Sequence, residues 1–227
     1  MTQNIIINGS DSFDFEVNIP ADKSITHRAI IIASMHESKI RIINPLLADD
    51  CLCTIEVMRQ LGARIKEEDA NLIIMGKSYK NFSQPKEKIY AGNSGTLMRL
   101  VSGLLSTQNF SSEIYGDKSL MKRPMERICK PLREIGCKLD TFNGSPPIKF
   151  YPSSEKKSFE YENTLASAQV KSCMIFAAIC LQGKSVIKEK IATRDHTERL
   201  LSYLDYPIKK VDNNICITGQ GDINPKE

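Results

Sequence analysis

The sequence predicts an α/β fold of three βαβαββ units packed with pseudo-threefold symmetry. An internal period of about 70 residues runs through the 227-residue chain. Every copy contains an apolar helix-period run opened by a serine, and every copy closes on two short strand patterns around a turn.

The first helix of each unit is read from Ser24 to Met35, from Ser94 to Ser106 and from Ser167 to Cys180. In each, a cation follows the leading serine by four or five residues: Arg28, Arg99 and Lys171. A strand pattern comes next, at Lys39–Ile43, Glu113–Tyr115 and Ser185–Lys188. An amphipathic helix follows over Asp49–Leu61, Pro124–Ile135 and Asp195–Leu204, with Leu61, Ile135 and Leu204 at the same spot of the repeat. Pro131 lies inside the second of these, where its missing N–H and its ring predict a kink. The closing strand pairs are Ala63–Ile65 with Leu72–Met75, Lys138–Leu139 with Ile148–Tyr151, and Ile208–Val211 with Ile215–Thr218. Their turns fall at Glu67–Asn71, Asn143–Gly144 and Asp212–Asn214. A short extended stretch opens each unit, at Phe15–Ile19, Lys88–Tyr90 and Phe159–Tyr161. Any α/β chain spaces its helices regularly, but here element order, spacing and the serine-then-cation feature agree together.

Hydrophobic residues make up 41% and charged residues 26%, with 12 Gly and 10 Pro, which excludes a disordered or collagen-like chain. A net charge of +4 spread along the sequence argues against nucleic acid as a partner and makes anion binding a local matter. Neither a leader-like start nor an apolar run of about 18 residues is present, so a cytoplasmic protein with no membrane partner is expected. Seven Cys at irregular spacing without a CxxC pair, and three His in all, predict packed thiols and no metal site.

Chemistry concentrates at the starts of the first helices. A helix amino terminus presents unpaired N–H groups and the positive end of its dipole, so it favours an anion. Lys23, Ser24 and Arg28 place two cations and a hydroxyl around one such start, and there a ligand role leads. Arg123, before Pro124, is a further cation near a helix start. Gly95, between Ser94 and Thr96, allows either a tight turn or close approach of a ligand to the backbone. For Arg99 and Lys171 a solvated face is the leading reading, and for Asp49, Asp50 and Asp195 a capping role. The set suits a small molecule carrying phosphate and carboxylate groups.

Five stretches then show a resemblance: Pro20-Ala21-Asp22-Lys23-Ser24-Ile25-Thr26-His27-Arg28, Ala91-Gly92-Asn93-Ser94-Gly95-Thr96-Leu97-Met98-Arg99, Arg123-Pro124-Met125, Ser167-Ala168-Gln169-Val170-Lys171-Ser172 and Thr193-Arg194-Asp195-His196-Thr197-Glu198. In order and spacing the sequence closely resembles the 5-enolpyruvylshikimate-3-phosphate synthase family, in the form often called class II. The resemblance implies transfer of the enolpyruvyl group of phosphoenolpyruvate to the 5-hydroxyl of shikimate 3-phosphate, with no metal or organic cofactor. It also implies the family fold, an inverted α/β barrel or prism of threefold βαβαββ domains, two of which close on the substrates. By motif, Lys23, Ser24, Arg28, Ser167, Ala168, Gln169 and Arg194 would hold shikimate 3-phosphate. Lys23, Gly95, Arg123 and Gln169 would meet phosphoenolpyruvate; Gly95 leaves room for glyphosate, an analogue of it in this family, while the class II resemblance points away from sensitivity to it. The sister enzyme acting on UDP-N-acetylglucosamine shares the fold, but Lys-Ser-x-Thr-His-Arg and Ser-Ala-Gln favour the shikimate substrate. An RNA-binding module or a non-catalytic structural fragment would be readings of another class; the absence of Trp and of an aromatic platform beside the cations weighs against RNA.

Full family members are roughly twice as long, so the chain reads as an amino-terminal half whose partner is the carboxy-terminal domain of the same enzyme, with a monomer expected. Residues 1–14, with a strand-like Asn4–Asn8, would belong to that other domain. Residues 15–220 would form the threefold domain, and 221–227 would begin the linker. A general acid and base are expected in the other half.

Overall fold

The computed structural model describes residues 19–223. The strand-like pattern expected at Asn4–Asn8, nearly all of the stretch Phe15–Ile19, and residues 224–227 of the expected linker lie outside the described residues.

Unit one contains α1 (Lys23–Ser34), β1 (Lys39–Ile42), α2 (Asp49–Gln60), β2 (Arg64–Glu68) and β3 (Asn71–Met75). Unit two contains β4 (Ile89–Tyr90), α3 (Gly95–Leu105), β5 (Ser112–Tyr115), α4 (Glu126–Glu134), β6 (Lys138–Phe142) and β7 (Ser145–Tyr151). Unit three contains β8 (Glu160–Asn163), α5 (Ala168–Cys180), β9 (Gly183–Glu189), α6 (His196–Tyr203), β10 (Ile208–Val211) and β11 (Asn214–Gly219). The second and third units form sheets of identical connectivity, β4-β5-β7-β6 and β8-β9-β11-β10. In each, the opening strand pairs parallel to the next, and the closing hairpin adds antiparallel. The order β1-β3-β2 repeats the same arrangement for the described strands of unit one.

Alternation turns one face of each hairpin inward: Ile65, Leu72 and Ile74; Leu139, Ile148 and Phe150; Ile208, Ile215 and Ile217. The hairpin turns use left-handed residues, Asp69-Ala70, Asn143-Gly144 and Asp212. Such conformations match the twist of the strands they join. Both strands of the first two hairpins run longer than the sequence pattern indicates, because exposed charged residues such as Lys66 and Glu67 continue the ladder toward the turn.

The helices divide into two kinds. Beyond their first turns α1, α3 and α5 are buried almost all round, whereas α2, α4 and α6 bury one stripe each. The closest approach is between α3 and α5: a Cβ on Gly103 would lie 2.1 Å from the Cys173 carbonyl oxygen. No side chain fits there, so glycine sets the spacing of these two helices. Pro131 sits within α4 and the helix continues past it.

Capping differs from the sequence reading at three places. Asp22, not Ser24, caps α1, its Oδ1 accepting from Ile25 N at 2.7 Å. Asp49 and Asp50 do not cap α2; they lie in its first turn, behind Ala48, where the dipole favours a carboxylate. Asp195 occupies the cap position of α6 without a capping bond from its side chain. Ser94 and Ser167 do cap α3 and α5, accepting from Leu97 N and Val170 N.

Candidate functional site

Side-chain hydrogen bonds tie the starts of α1, α3 and α5 into one surface. Gln169, in the first turn of α5, accepts from Arg99 Nη1 at 2.7 Å and donates to Thr96 Oγ1 at 3.0 Å, both on α3. Arg28 links α1 to the other side of α5, donating from Nη2 to Ser172 Oγ at 2.9 Å. Its Nε donates to Thr197 Oγ1 of α6 at 2.7 Å, and its Nη1 to the Ser24 carbonyl at 2.9 Å. The Arg28 residue is 4% exposed, and burial pushes its guanidinium down to about 10 against a partial lift from Glu198. It therefore stays charged at neutral pH and is held with its fork fixed.

Around this surface stand cations with few internal partners. Lys23 is half exposed and ion-paired with Asp50 at 2.9 Å. Arg194 lies exposed on the loop before α6, close enough to Arg28 for its charge to lower the Arg28 pKa. Near α3, Arg123 donates to Asn93 Oδ1, and a Cβ on Gly95 would lie 3.0 Å from Arg123 Nη1 and 3.2 Å from Arg99 Nη1. Arg99 is lowered by its own burial and by the charges of Arg127 and Arg123. Its buried Nε finds no acceptor among the described residues. Three guanidiniums and the amino terminus of α3 thus concentrate positive potential around Gly95. Such a cradle attracts a phosphate or carboxylate.

Of the residues singled out in the sequence, Arg28, Ser167, Ala168 and Gln169 share this surface, with Lys23 and Ser24 at the start of α1 and Gly95 and Arg123 at that of α3. Two expectations change. Arg99 is 9% exposed and bonded to Gln169, so it does not sit on a solvated face. Lys171 is 0% exposed, its ammonium ion-paired with Glu189 at 3.1 Å and Glu198 at 2.6 Å. The cause is the same for both: α3 and α5 are central helices with no solvated side past the first turn. Arg127 and Thr197 were not singled out. The signal for Thr197 was its place within Arg-Asp-His-Thr-Glu, beside Arg194.

Comparison with known proteins agrees with this geometry. The family model described as EPSP synthase (3-phosphoshikimate 1-carboxyvinyltransferase) matches residues 7–227. A 3-phosphoshikimate 1-carboxyvinyltransferase of Vesicomyosocius okutanii is 41% identical over 219 residues, covering 96% of this chain and 50% of the relative. One from Coxiella burnetii is 38% identical over 220 residues with the same coverage. Among solved structures, EPSP synthase from Acinetobacter baumannii superposes with a TM-score of 0.89 at 37% identity, covering 95% of this chain and 50% of that one. The chain spans about half the length of the relatives it matches. With fold, repeat and motif positions all in agreement over nearly its whole length, the chain belongs to the EPSP synthase family.

Proposed function

We propose that this chain supplies the shikimate 3-phosphate side of an enolpyruvyl transfer site, cytoplasmic and monomeric, completed by a carboxy-terminal domain. The relatives' name, 3-phosphoshikimate 1-carboxyvinyltransferase, describes that reaction. The observation that carries the reading is the hydrogen-bonded surface in which Arg28, Ser172 and Thr197 on one side and Arg99, Gln169 and Thr96 on the other fix the starts of α1, α3 and α5. Lys23, Ser24, Arg28, Ser167, Ala168, Gln169 and Arg194 hold shikimate 3-phosphate in this reading. Lys23, Gly95 through its backbone, Arg123 and Gln169 meet phosphoenolpyruvate.

The chemistry follows from charge. The 5-hydroxyl oxygen loses its proton and bonds to the carbon of phosphoenolpyruvate that bears phosphate while the methylene carbon gains a proton, giving a tetrahedral adduct. Loss of a proton from the resulting methyl group then expels phosphate and restores the double bond. The adduct carries two phosphates and two carboxylates. Cations already fixed by the fold stabilise it without reorganising, which is where preorganised sites gain most. In this reading Gln169 contacts both ligands, its amide held by Arg99 and Thr96 of α3.

Calorimetric titration of the chain with shikimate 3-phosphate tests this. Binding that disappears in Arg28→Ala is expected. No heat at millimolar ligand, together with no NMR shifts around Lys23, Ser24 and Gln169, overturns the assignment. Among the described residues no helix is long and apolar enough to cross a membrane.

A further inference from the structure

Lys171 is a fully buried ammonium near the start of a largely apolar helix, and its surroundings set out what it does. Its Nζ donates to Glu189 Oε2 at 3.2 Å and to the Thr193 carbonyl at 3.4 Å. Glu189 in turn accepts from Thr193 N at 3.2 Å and from Thr193 Oγ1 at 2.6 Å. The loop between β9 and α6 therefore hangs from Lys171 and Glu189 by its residue next to Arg194. Glu198, in the first turn of α6, is also buried. Its Oε1 lies 2.6 Å from Lys171 Nζ as an ion pair outside hydrogen-bond geometry, and neither of its oxygens receives a hydrogen bond among the described residues. The residue before it, Thr197, accepts from Arg28 Nε and shares a 2.8 Å hydrogen bond with Ser172.

A buried carboxylate with no hydrogen-bond donors draws strongly on any nearby cation. The Arg28 guanidinium is near, and Arg194 lies close to Arg28. Were Glu198 not neutralised by Lys171, it would compete for Arg28, and a ligand phosphate would have to displace it. We propose that Lys171 is a positioning residue: by anchoring Thr193 and neutralising Glu198, it keeps Arg28 on its partners Ser24, Ser172 and Thr197 and leaves exposed Arg194 beside it, a pair for a phosphate monoester. The inference rests on the assignment of these arginines to shikimate 3-phosphate made above.

The charge count supplies a test that separates this role from simple stabilisation. Lys171, Glu189 and Glu198, with Lys210 3.8 Å from Glu189, together carry no net charge. Lys171→Met leaves one net negative charge, and Lys171→Met combined with Glu198→Gln returns the cluster to neutral without restoring the ammonium. Calorimetry with shikimate 3-phosphate is expected to show about tenfold or greater weakening in Lys171→Met and recovery to within about threefold of the unsubstituted chain in the double variant. Unchanged affinity in Lys171→Met, or a double variant as weak as the single one, overturns the role. If the single variant fails to fold, the double variant decides by itself: affinity within about threefold supports the role, and a tenfold loss removes it. A second readout does not depend on the ligand. The Arg28 Nε–H resonance, bonded to Thr197, should be sharp in the unsubstituted chain, displaced in Lys171→Met, and returned in the double variant. If the unsubstituted chain binds no shikimate 3-phosphate, the functional assignment falls, and an Arg28 signal identical in all folded variants overturns the positioning role separately.

Discussion

A Cβ added at Gly95 would fall at contact distance from the ends of Arg123 and Arg99, not against backbone. Gly95→Ala should therefore leave the midpoint of thermal unfolding nearly unchanged, because the two side chains can swing aside. The guanidiniums would then no longer converge on the start of α3. Affinity for phosphoenolpyruvate or glyphosate should fall by more than tenfold while that for shikimate 3-phosphate changes little, a contrast that paired titrations measure. His27 gives a second prediction at this scale. Burial pushes its imidazole down to about 4, outweighing the opposing pull of Asp50, and its Nε2 has no partner among the described residues. The folded chain therefore resists protonating it, while the unfolded chain takes up a proton near the ordinary histidine value. The resulting stability is full above about pH 6.5, falls as pH drops toward 4, and amounts to about 3 kcal/mol. Urea unfolding at pH 7 and pH 4.5 should show a smaller difference in His27→Gln than in the unsubstituted chain. An equal difference in the two proteins would exclude His27 as the cause.

Contact between helices gives the next prediction. The 2.1 Å separation between a Gly103 Cβ and the Cys173 carbonyl leaves Gly103→Ala no route except moving α3 away from α5. Overpacking of this kind costs about 1–3 kcal/mol, or several degrees in unfolding temperature for a chain of this size. Because Thr96 and Arg99 of α3 meet Gln169 of α5, the same shift should loosen their hydrogen bonds and weaken ligand binding. An unfolding temperature equal to that of the unsubstituted chain would mean that the backbones have room to spare. These elements were legible in the sequence to different degrees. Apolar periodicity located all six helices to within two residues at each end, since burial imposes that pattern directly. Helix caps were less legible, because Asp22 and Ser24 are both good caps and only the backbone dihedrals at Asp22 decide between them. Lys171 was misread since cations usually face water, yet a signal was present. Apart from Ser172, Val170 to Ile179 is otherwise apolar, which leaves no solvated face for a lysine, and Glu189 and Glu198 supply the charge needed to bury it.

At the scale of the molecule, one contiguous core joins the three units, running from Ile30, Ile31 and Ile32 through Leu97, Leu100 and Leu104 to Ile175, Phe176 and Ile179. A core shared in this way gives no unit an independent fold, so the 227-residue chain should unfold in a single cooperative transition. The surface proposed to bind the substrates is another matter. Lys23 and Arg194 remain exposed, and the positive end of each inner helix faces a surface open to water. Screening there weakens every electrostatic contact relative to a closed cleft. Proton transfer to and from phosphoenolpyruvate also needs a positioned acid and base, contributing typically about 10²- to 10⁴-fold each. Among the described residues, the buried carboxylates Glu189 and Glu198 are committed to Lys171. The chain alone is therefore expected to bind shikimate 3-phosphate at millimolar strength and to release no phosphate from phosphoenolpyruvate. A phosphate-release assay with both substrates checks this, run on the chain alone and after mixing with the separately expressed carboxy-terminal domain of a full-length relative. Release only on mixing fits two domains that complete one cleft. Turnover by the chain alone would place an acid and a base within these residues and require a different division of roles.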